Sequence, residues 1–333
     1  MLATSKEQMK TAGGSHAFAD YTIALPETFQ LESGEKLKEN FLKLRFFGNR
    51  SGKHLFVCGG ISGSRIVCDD GETPGFWRKV FHEHGAVDFQ KYCIISVDFL
   101  PNDNETVQCI TTDDQARAIF LALNMLEIFR LDGFIGASYG GMVGLKLASL
   151  QPGYCKNYCI LSAAHRPNPI ATAYRGIQRR VIEFSERVGQ VEEGLSLARQ
   201  IAMIGYRTPQ EFSKRFSCRA NEKSHAARFD VCDYLESRGK DFSKKFTAHR
   251  YLTLSHSLDD HFVDIETIAD PLFLVSVEDD QIVYEGDIAE LATCVHAPVR
   301  HENFVSPYGH DAFLCEPQRI SGYLQQFLER FSV

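Results

Sequence analysis

Residues 133–150 read GFIGASYGGMVGLKLASL. The short apolar run GFIGA reaches Ser138 in the order Gly136-Ala137-Ser138-Tyr139-Gly140, and GMVGLKLASL then keeps helical spacing until Pro152. A strand that becomes a helix across a G-x-S-x-G pattern needs its glycines, because only bare backbone lets the two elements approach so closely. The serine is then forced onto a strained, exposed turn. The N-terminus of the following helix also offers N–H groups to a developing oxyanion. Ser138 is therefore a candidate nucleophile. A serine hydroxyl needs a base within reach, and the base needs an acidic partner.

The flanking sequence supplies a frame for such a turn. HLFVCGG (54–60), YCIISVDFL (92–100), YCILSAA (158–164) and PLFLVSVEDD (271–280) read as short buried strands, and VRHENFVSPYGHDAFL (299–314) contains a further one. Ahead of them, TFQLESGEKL and LKLRFFGN read as two extended segments joined by a turn at Ser33-Gly34. DDQARAIFLALNMLEIF (113–129) has helical spacing, with Ile119, Leu123, Leu126 and Phe129 on one side and Asp113 or Asp114 at its start. GYLQQFLERF closes the chain as a helix. Strands alternating with helices imply an α/β fold with a mostly parallel central sheet covered on both faces. Between about 166 and 265 strand runs give way to helical stretches such as GIQRRVIEFSERV and EGLSLARQIAMIGY. The expected division is a core in two parts, 1–165 and 266–333, interrupted by a helical lid, 166–265.

Composition narrows the function. The chain has 333 residues, 44% hydrophobic, and a formal net charge of -7, enough for a large core and without the basic face that nucleic acid requires. No apolar run approaches the roughly 20 residues that cross a bilayer, and the first 20 residues lack a signal-peptide core. Ten cysteines are spread singly without a CxxC pair, which argues against a zinc ribbon or a disulfide scaffold and for reduced thiols in a cytoplasmic protein. Gly59, Gly60 and Gly63 match neither a dinucleotide fingerprint nor a Walker loop. No metal site is expected.

The acid and base should follow the serine in the order Asp or Glu, then His. Glu278, Asp279 and Asp280 end the PLFLVSV strand, with Asp280 favoured and Asp279 the alternative. His310, in SPYGHDAFL, follows the last strand, and Gly309 allows a tight loop there. Of the other histidines, His256 and His261 fall in the lid, and His165 precedes the acid. The second oxyanion donor is expected in CGGISGSR (58–65), so the N–H groups of Ile61 and Tyr139 would face one oxygen.

Taken together, GASYGGM, VCGGISGSR, SAAHRPNPIATAYRGIQR, GLSLARQIAMIGYRTPQEFSKRF, FDVCDYLESRGKDFSKKFTAHRYLTLSHSLDDH and YGHDAFL resemble the homoserine O-acyltransferase family of the α/β-hydrolase superfamily. The resemblance implies the α/β-hydrolase fold and Ser138, Asp280 and His310 as the triad. It also implies Arg199 and Tyr206 as contacts to the carboxylate end of the amino-acid substrate and Asp311 as partner of its ammonium. The activity it implies is homoserine O-acetyltransferase: ping-pong transfer from acetyl-CoA through acyl-Ser138, in methionine biosynthesis, with no permanently bound cofactor. Transfer from succinyl-CoA, serine as acceptor, and a serine esterase are the alternatives. A succinyl donor would call for a cation, with Arg65 and Arg166 as candidates. A homodimer through the lid helices is the implied assembly. The chain departs from the family pattern at Tyr139, where many members have Met, and at Gly-Gly-Ile-Ser, where many have His-Ala-Leu-Thr. Both changes are expected to ring the acyl pocket.

Overall fold

The computed structural model describes residues 6–11, 17–82, 84–219 and 229–331. Apolar runs too short for a helix form the strands β1 (Lys6–Thr11), β2 (Ala17–Ala24), β3 (Phe41–Gly48), β4 (Lys53–Cys58), β5 (Tyr92–Asp98), β6 (Gly133–Ala137), β7 (Tyr158–Leu161), β8 (Leu272–Val277) and β9 (Val299–Phe304). They make one sheet in the order β1-β2-β3-β5-β4-β6-β7-β8-β9. Pairing is antiparallel from β1 to β5 and parallel from there to β9. Every residue of β6, β7 and β8 is buried, as parallel strands covered on both faces require.

Strand alternation divides the core. Phe56, Phe134, Leu272 and Leu274 face one layer, while Leu55, Val57, Ile135, Phe273 and Val275 face the other. The first layer packs against α1 (Thr112–Met125) and α2 (Tyr139–Leu150) through Ile119 and Leu145. Five helices then separate β7 from β8: α3 (Pro169–Arg187), α4 (Val191–Tyr206), α5 (Pro209–Arg215), α6 (Asp230–Ser243) and α7 (Ala248–Asp259). After β8 come α8 (Glu285–Cys294), α9 (Ala312–Cys315) and α10 (Pro317–Phe331), whose Leu324 and Phe327 join Trp77 and Phe81 in the second layer.

Two expectations are corrected, and one helix is added to those expected. TFQLESGEKL is not a strand: Phe29, Leu31 and Leu37 are buried, but its hydrogen bonds close locally, Gly34 N to Leu31 O (2.8 Å) and Leu31 N to Glu35 O (3.1 Å). The neighbour of β3 is instead β2, whose alternate residues Ala19, Tyr21 and Ile23 are buried. Helix α1 stops at Met125 because Glu127 takes a positive φ of 60°, so Phe129 falls past the helix and is 69% exposed. Its start is as expected, a capping box in which Thr111 and Asp114 bond each other's backbone N–H. EGDIAELATC was not foreseen as a helix; it forms α8 and buries Ile288 and Leu291.

Candidate active site

The turn after β6 is sterically specified. Ser138 sits at φ 53°, ψ −120°, a left-handed conformation that costs a non-glycine residue about 1–3 kcal/mol. A Cβ on Gly136 would lie 2.4 Å from Gly140 O, and one on Gly140 would lie 2.7 Å from the carbonyl oxygens of Cys58 and Gly59. Backbone bonds then pin the turn from both sides: Gly140 N donates to Gly59 O, and Ser138 N to Leu161 O, each at 2.9 Å. The loop after β4 thereby lies against the serine. A Cβ on Gly60 would be 3.9 Å from Ser138 Oγ.

Ser138 Oγ is 2.8 Å from His310 Nε2, and His310 Nδ1 is 2.7 Å from Asp280 Oδ2. Asp280 Oδ1 accepts the N–H groups of Ile282 (2.8 Å) and Val283 (2.9 Å), which fixes the carboxylate so that its other oxygen meets the ring. With Nδ1–H donated to Asp280, Nε2 is the acceptor facing the serine. Asp280, not Asp279, is the carboxylate in contact with His310. His310 sits in a 3-10 turn, Gly309–Asp311, entered through Gly309 at φ 50°. Burial favours the neutral imidazole, but the charge and hydrogen bond of Asp280, with the charge of Asp311, outweigh it and raise the His310 pKa above 6.5.

The triad opens on a cavity of ≈ 1130 Å³, counted to its mouth, between the strand ends and the inserted helices. Gly60 and Ile61 line it beside Ser138. The Ile61 N–H has no acceptor among the described residues, and the Tyr139 N–H belongs to the first turn of α2, where no intrahelical acceptor exists. The side chain of Tyr139 does not ring the cavity as expected. It is fully buried, with its hydroxyl 2.7 Å from Ser257 Oγ of α7 and its ring edge-on to Phe99. Residues Arg199, Tyr206 and Asp311 line the cavity. The Tyr206 ring leans on His310 with centroids 5.6 Å apart, and Arg199 stacks over Tyr206 and Phe242. Burial raises the Tyr206 pKa and the Arg199 charge opposes it. Asp311 is shared with Arg207, whose Nε lies 2.9 Å away.

The two candidate donor-selecting cations are placed differently. Arg65 lies outside the residues lining the cavity, because Asp98 and Asp20 hold its guanidinium at β5 and β2. Arg166 does line it, but both its terminal nitrogens bond Glu290, at 2.7 and 2.5 Å, and Asp287 is 3.7 Å away. His261 is a packing residue between Thr112 Oγ1 and Ala164 O, its pKa pushed down to about 3 by burial. Sequence reasoning missed the inner face of α3: Ala171, Tyr174, Arg175 and Gln178 line the cavity at helical spacing. The signal available was an Arg and a Gln on a stripe shared with Ala171 and Ile182. No cluster of His, Cys, Asp and Glu suited to a metal occurs among the described residues, and no described helix is long and apolar enough to cross a membrane.

With β1 set aside, the sheet order, the antiparallel second strand and the serine turn at the end of β6 define an α/β-hydrolase fold. Esterase E22 shares it with a TM-score of 0.79 and 16% identity, over 94% of this chain and 100% of that one. No family model matches the sequence. A homoserine O-succinyltransferase of Xanthomonas campestris pv. campestris is 36% identical over 289 residues, covering 86% of this chain and 78% of the relative. A homoserine O-acetyltransferase of Methanosphaera stadtmanae is 26% identical over 93% of this chain and 73% of its own length. The chain belongs to the homoserine O-acyltransferase family.

Two outcomes follow from this geometry. Gly136→Ala forces apart backbone atoms that cannot move independently, so stability should fall by about 1–3 kcal/mol in urea unfolding, with loss of labelling by a fluorophosphonate. Labelling of the native protein should weaken as pH falls, because His310 is a base only when neutral. Its midpoint should lie above 6.5, the side to which Asp280 moves the group. A midpoint at or below 6.5 would count against the Asp280–His310 pairing in solution.

Proposed function

We propose that the chain transfers an acyl group from acyl-CoA, acetyl-CoA or succinyl-CoA, to the hydroxyl of homoserine through an ester on Ser138. His310 Nε2 takes the Ser138 proton as Oγ attacks the thioester carbonyl. The C–S bond breaks, and the CoA thiol leaves with that proton. Homoserine then enters, its hydroxyl gives a proton to His310, and its oxygen attacks the ester, after which Ser138 recovers the proton. The Ile61 and Tyr139 N–H groups stabilise both tetrahedral oxyanions. One such donor is typically worth about 3 kcal/mol.

The observation that carries transfer over hydrolysis is Arg199. Alone among the three arginines lining the cavity, it has no carboxylate partner among the described residues. A guanidinium left unpaired in a half-buried site suits a substrate carboxylate. The neutral Tyr206 hydroxyl beside it, and Asp311 in the same cavity, suit the rest of an amino acid. The inserted helices, 166–265 between the two core parts 1–165 and 266–333, act as a lid that keeps water from the acyl-enzyme. No resident cofactor takes part. Membership of the family supports homoserine as the acceptor and methionine biosynthesis as the context. All ten cysteines are free, which fits a cytoplasmic enzyme.

A homodimer through the lid helices is part of this proposal. Ile170, Ile177 and Phe184 recur every seven residues on α3 and are 53%, 52% and 66% exposed, and Leu197 and Ile204 on α4 are 41% and 48% exposed. On each helix this spacing puts the residues on one face, an apolar stripe of the kind that chains in water tend to cover. A second copy would cover it symmetrically.

Ser138→Ala should abolish CoA release with acetyl-CoA or succinyl-CoA, and the native enzyme should convert homoserine to an O-acyl product. Free acid as the only product, with or without homoserine, would make it a hydrolase. In light scattering the native chain should have the mass of a dimer, and Ile177→Glu combined with Phe184→Glu that of a monomer. A dimeric double variant would move the interface off α3.

A further inference from the structure

Tyr139 stands where many members of the family carry Met, and its side chain takes no part in lining the cavity. Its backbone N–H is the proposed oxyanion donor, while its hydroxyl reaches the other way, 2.7 Å from Ser257 Oγ on α7. Both residues are fully buried, and the Gln115 amide also lies beside the hydroxyl. Gln115 is itself clamped to Leu100, its Nε2 donating to Leu100 O at 2.6 Å and its Oε1 accepting from Leu100 N at 3.0 Å. A methionine could fill the volume of the ring but would offer Ser257 only a weak thioether acceptor.

Helix α7 presents two polar stripes. Arg250, Thr253 and Ser257 share one face and meet the core. Arg250 Nη2 donates to Phe99 O (2.7 Å) and Nη1 to Pro101 O, Thr253 Oγ1 lies 3.4 Å from Val107 O, and Ser257 meets Tyr139. Tyr251, Ser255 and Asp259 share another face and hold α3. Tyr251 OH donates to Gln178 Oε1 at 2.5 Å, and Arg179 Nη1 donates to Ser255 Oγ at 2.9 Å. Asp259 accepts from Arg175 Nε and Arg179 Nη1 at 2.6 Å each, one carboxylate serving two guanidinium groups. The α3 ceiling over Ser138 therefore hangs from α7. That helix is in turn joined to the serine turn by a hydroxyl pair one residue from the nucleophile.

We propose that Tyr139 is a positioning residue: its bond to Ser257 keeps the lid seated over the serine, so that acyl-Ser138 is passed to the acceptor and not to water. This rests on the acyl-transfer reading of the cavity. Without the bond, α7 and the ceiling it carries can part from the serine turn, and water reaches the ester. Water then gives a proton to His310 Nε2 as its oxygen attacks the ester carbonyl. The bond to Ser138 Oγ breaks, the serine recovers the proton, and free acid leaves. Transfer and hydrolysis compete for one intermediate, and their ratio reports how well the lid is seated.

The test acylates the full chain with acetyl-CoA or succinyl-CoA and follows loss of the adduct on Ser138 by intact mass, in water alone and with saturating homoserine. Both losses are first-order in acylated protein, so a smaller folded fraction leaves their rate constants unchanged. Tyr139→Phe, which keeps the ring, and Ser257→Ala should each raise the ratio of hydrolysis to transfer by about 10-fold, the worth of one buried hydrogen bond. The double variant should raise it no further. Tyr154→Phe removes another buried tyrosine hydroxyl, one that donates to Ile128 O at 2.7 Å away from the cavity, and should leave the ratio native. An unchanged ratio in either single variant, additive effects in the double, or an equal rise in Tyr154→Phe would overturn the assignment. A native chain that forms no adduct, or loses it no faster with homoserine than without, would instead overturn the acyl-transfer reading beneath it.

Discussion

Everything at the site depends on one close approach, the backbone of α2 against the loop after β4. Gly140 has carbonyl oxygens of Cys58 and Gly59 where a Cβ would go, and Gly136 has Gly140 itself. That approach sets three things at once. It holds Ser138 at a positive φ with its hydroxyl outward, and it places the first turn of α2 beside it. It also lays Gly60 and Ile61 against the serine, so that the proposed nucleophile and oxyanion donors come from a single packing event. The strain of about 1–3 kcal/mol at Ser138 is absorbed by a parallel sheet whose central strands are buried on both faces.

His310 is held by a different route. Asp280 is 30 residues before His310, and the two meet because β8 and β9 are parallel neighbours whose C-terminal ends lie on the same edge. Two backbone N–H groups occupy one oxygen of Asp280, leaving the other for the ring. A buried imidazole would otherwise lose basicity, so the fixed carboxylate both orients the ring and keeps it basic. From below, Trp77 Nε1 donates to Phe313 O at 2.8 Å, anchoring the segment that carries His310.

How much of this was readable depended on whether sequence distance matched physical cause. The central strands were legible because burial on both faces makes them uninterrupted apolar runs, and Ser138 and Asp280 because each follows such a run; His310 follows the mostly half-buried, polar β9 and was legible from chain order and the Gly309 turn. TFQLESGEKL was misread because alternating apolar residues anchor a loop as well as a strand; only hydrogen bonding tells them apart, and Phe29, Leu31 and Leu37 are buried without pairing. The end of α1 turned on one backbone angle at Glu127, for which the sequence carries no glycine signal. Tyr139 and Arg65 were adjacent in sequence to the serine turn and the oxyanion loop, yet their side chains point to Ser257 and to Asp20 and Asp98. Adjacency along the chain places a backbone, not a side chain.

Helix α3 is the sharpest case, because its two faces reverse the usual rule. Ordinary amphipathic reading sends the apolar stripe inward. Here Ile170, Ile177 and Phe184 point outward, while Arg175 and Gln178 are buried, with Gln178 Oε1 accepting from Tyr251 OH at 2.5 Å. The inner face still buries Ala171 and Ile182, so its polar residues sit among apolar ones. Its polar groups there are held by specific partners, Asp259 and Tyr251, and its apolar groups remain available for a second surface. The same reversal fits the lid and the second copy proposed above: a polar, charge-bearing ceiling over the serine, and an oily outer face for that copy to cover. A hydrolase open to water has little use for a ceiling that carries two incompletely neutralised arginines, Arg175 and Arg199. A transferase has such a use, because it must recognise ionic substrates in a space from which water is excluded.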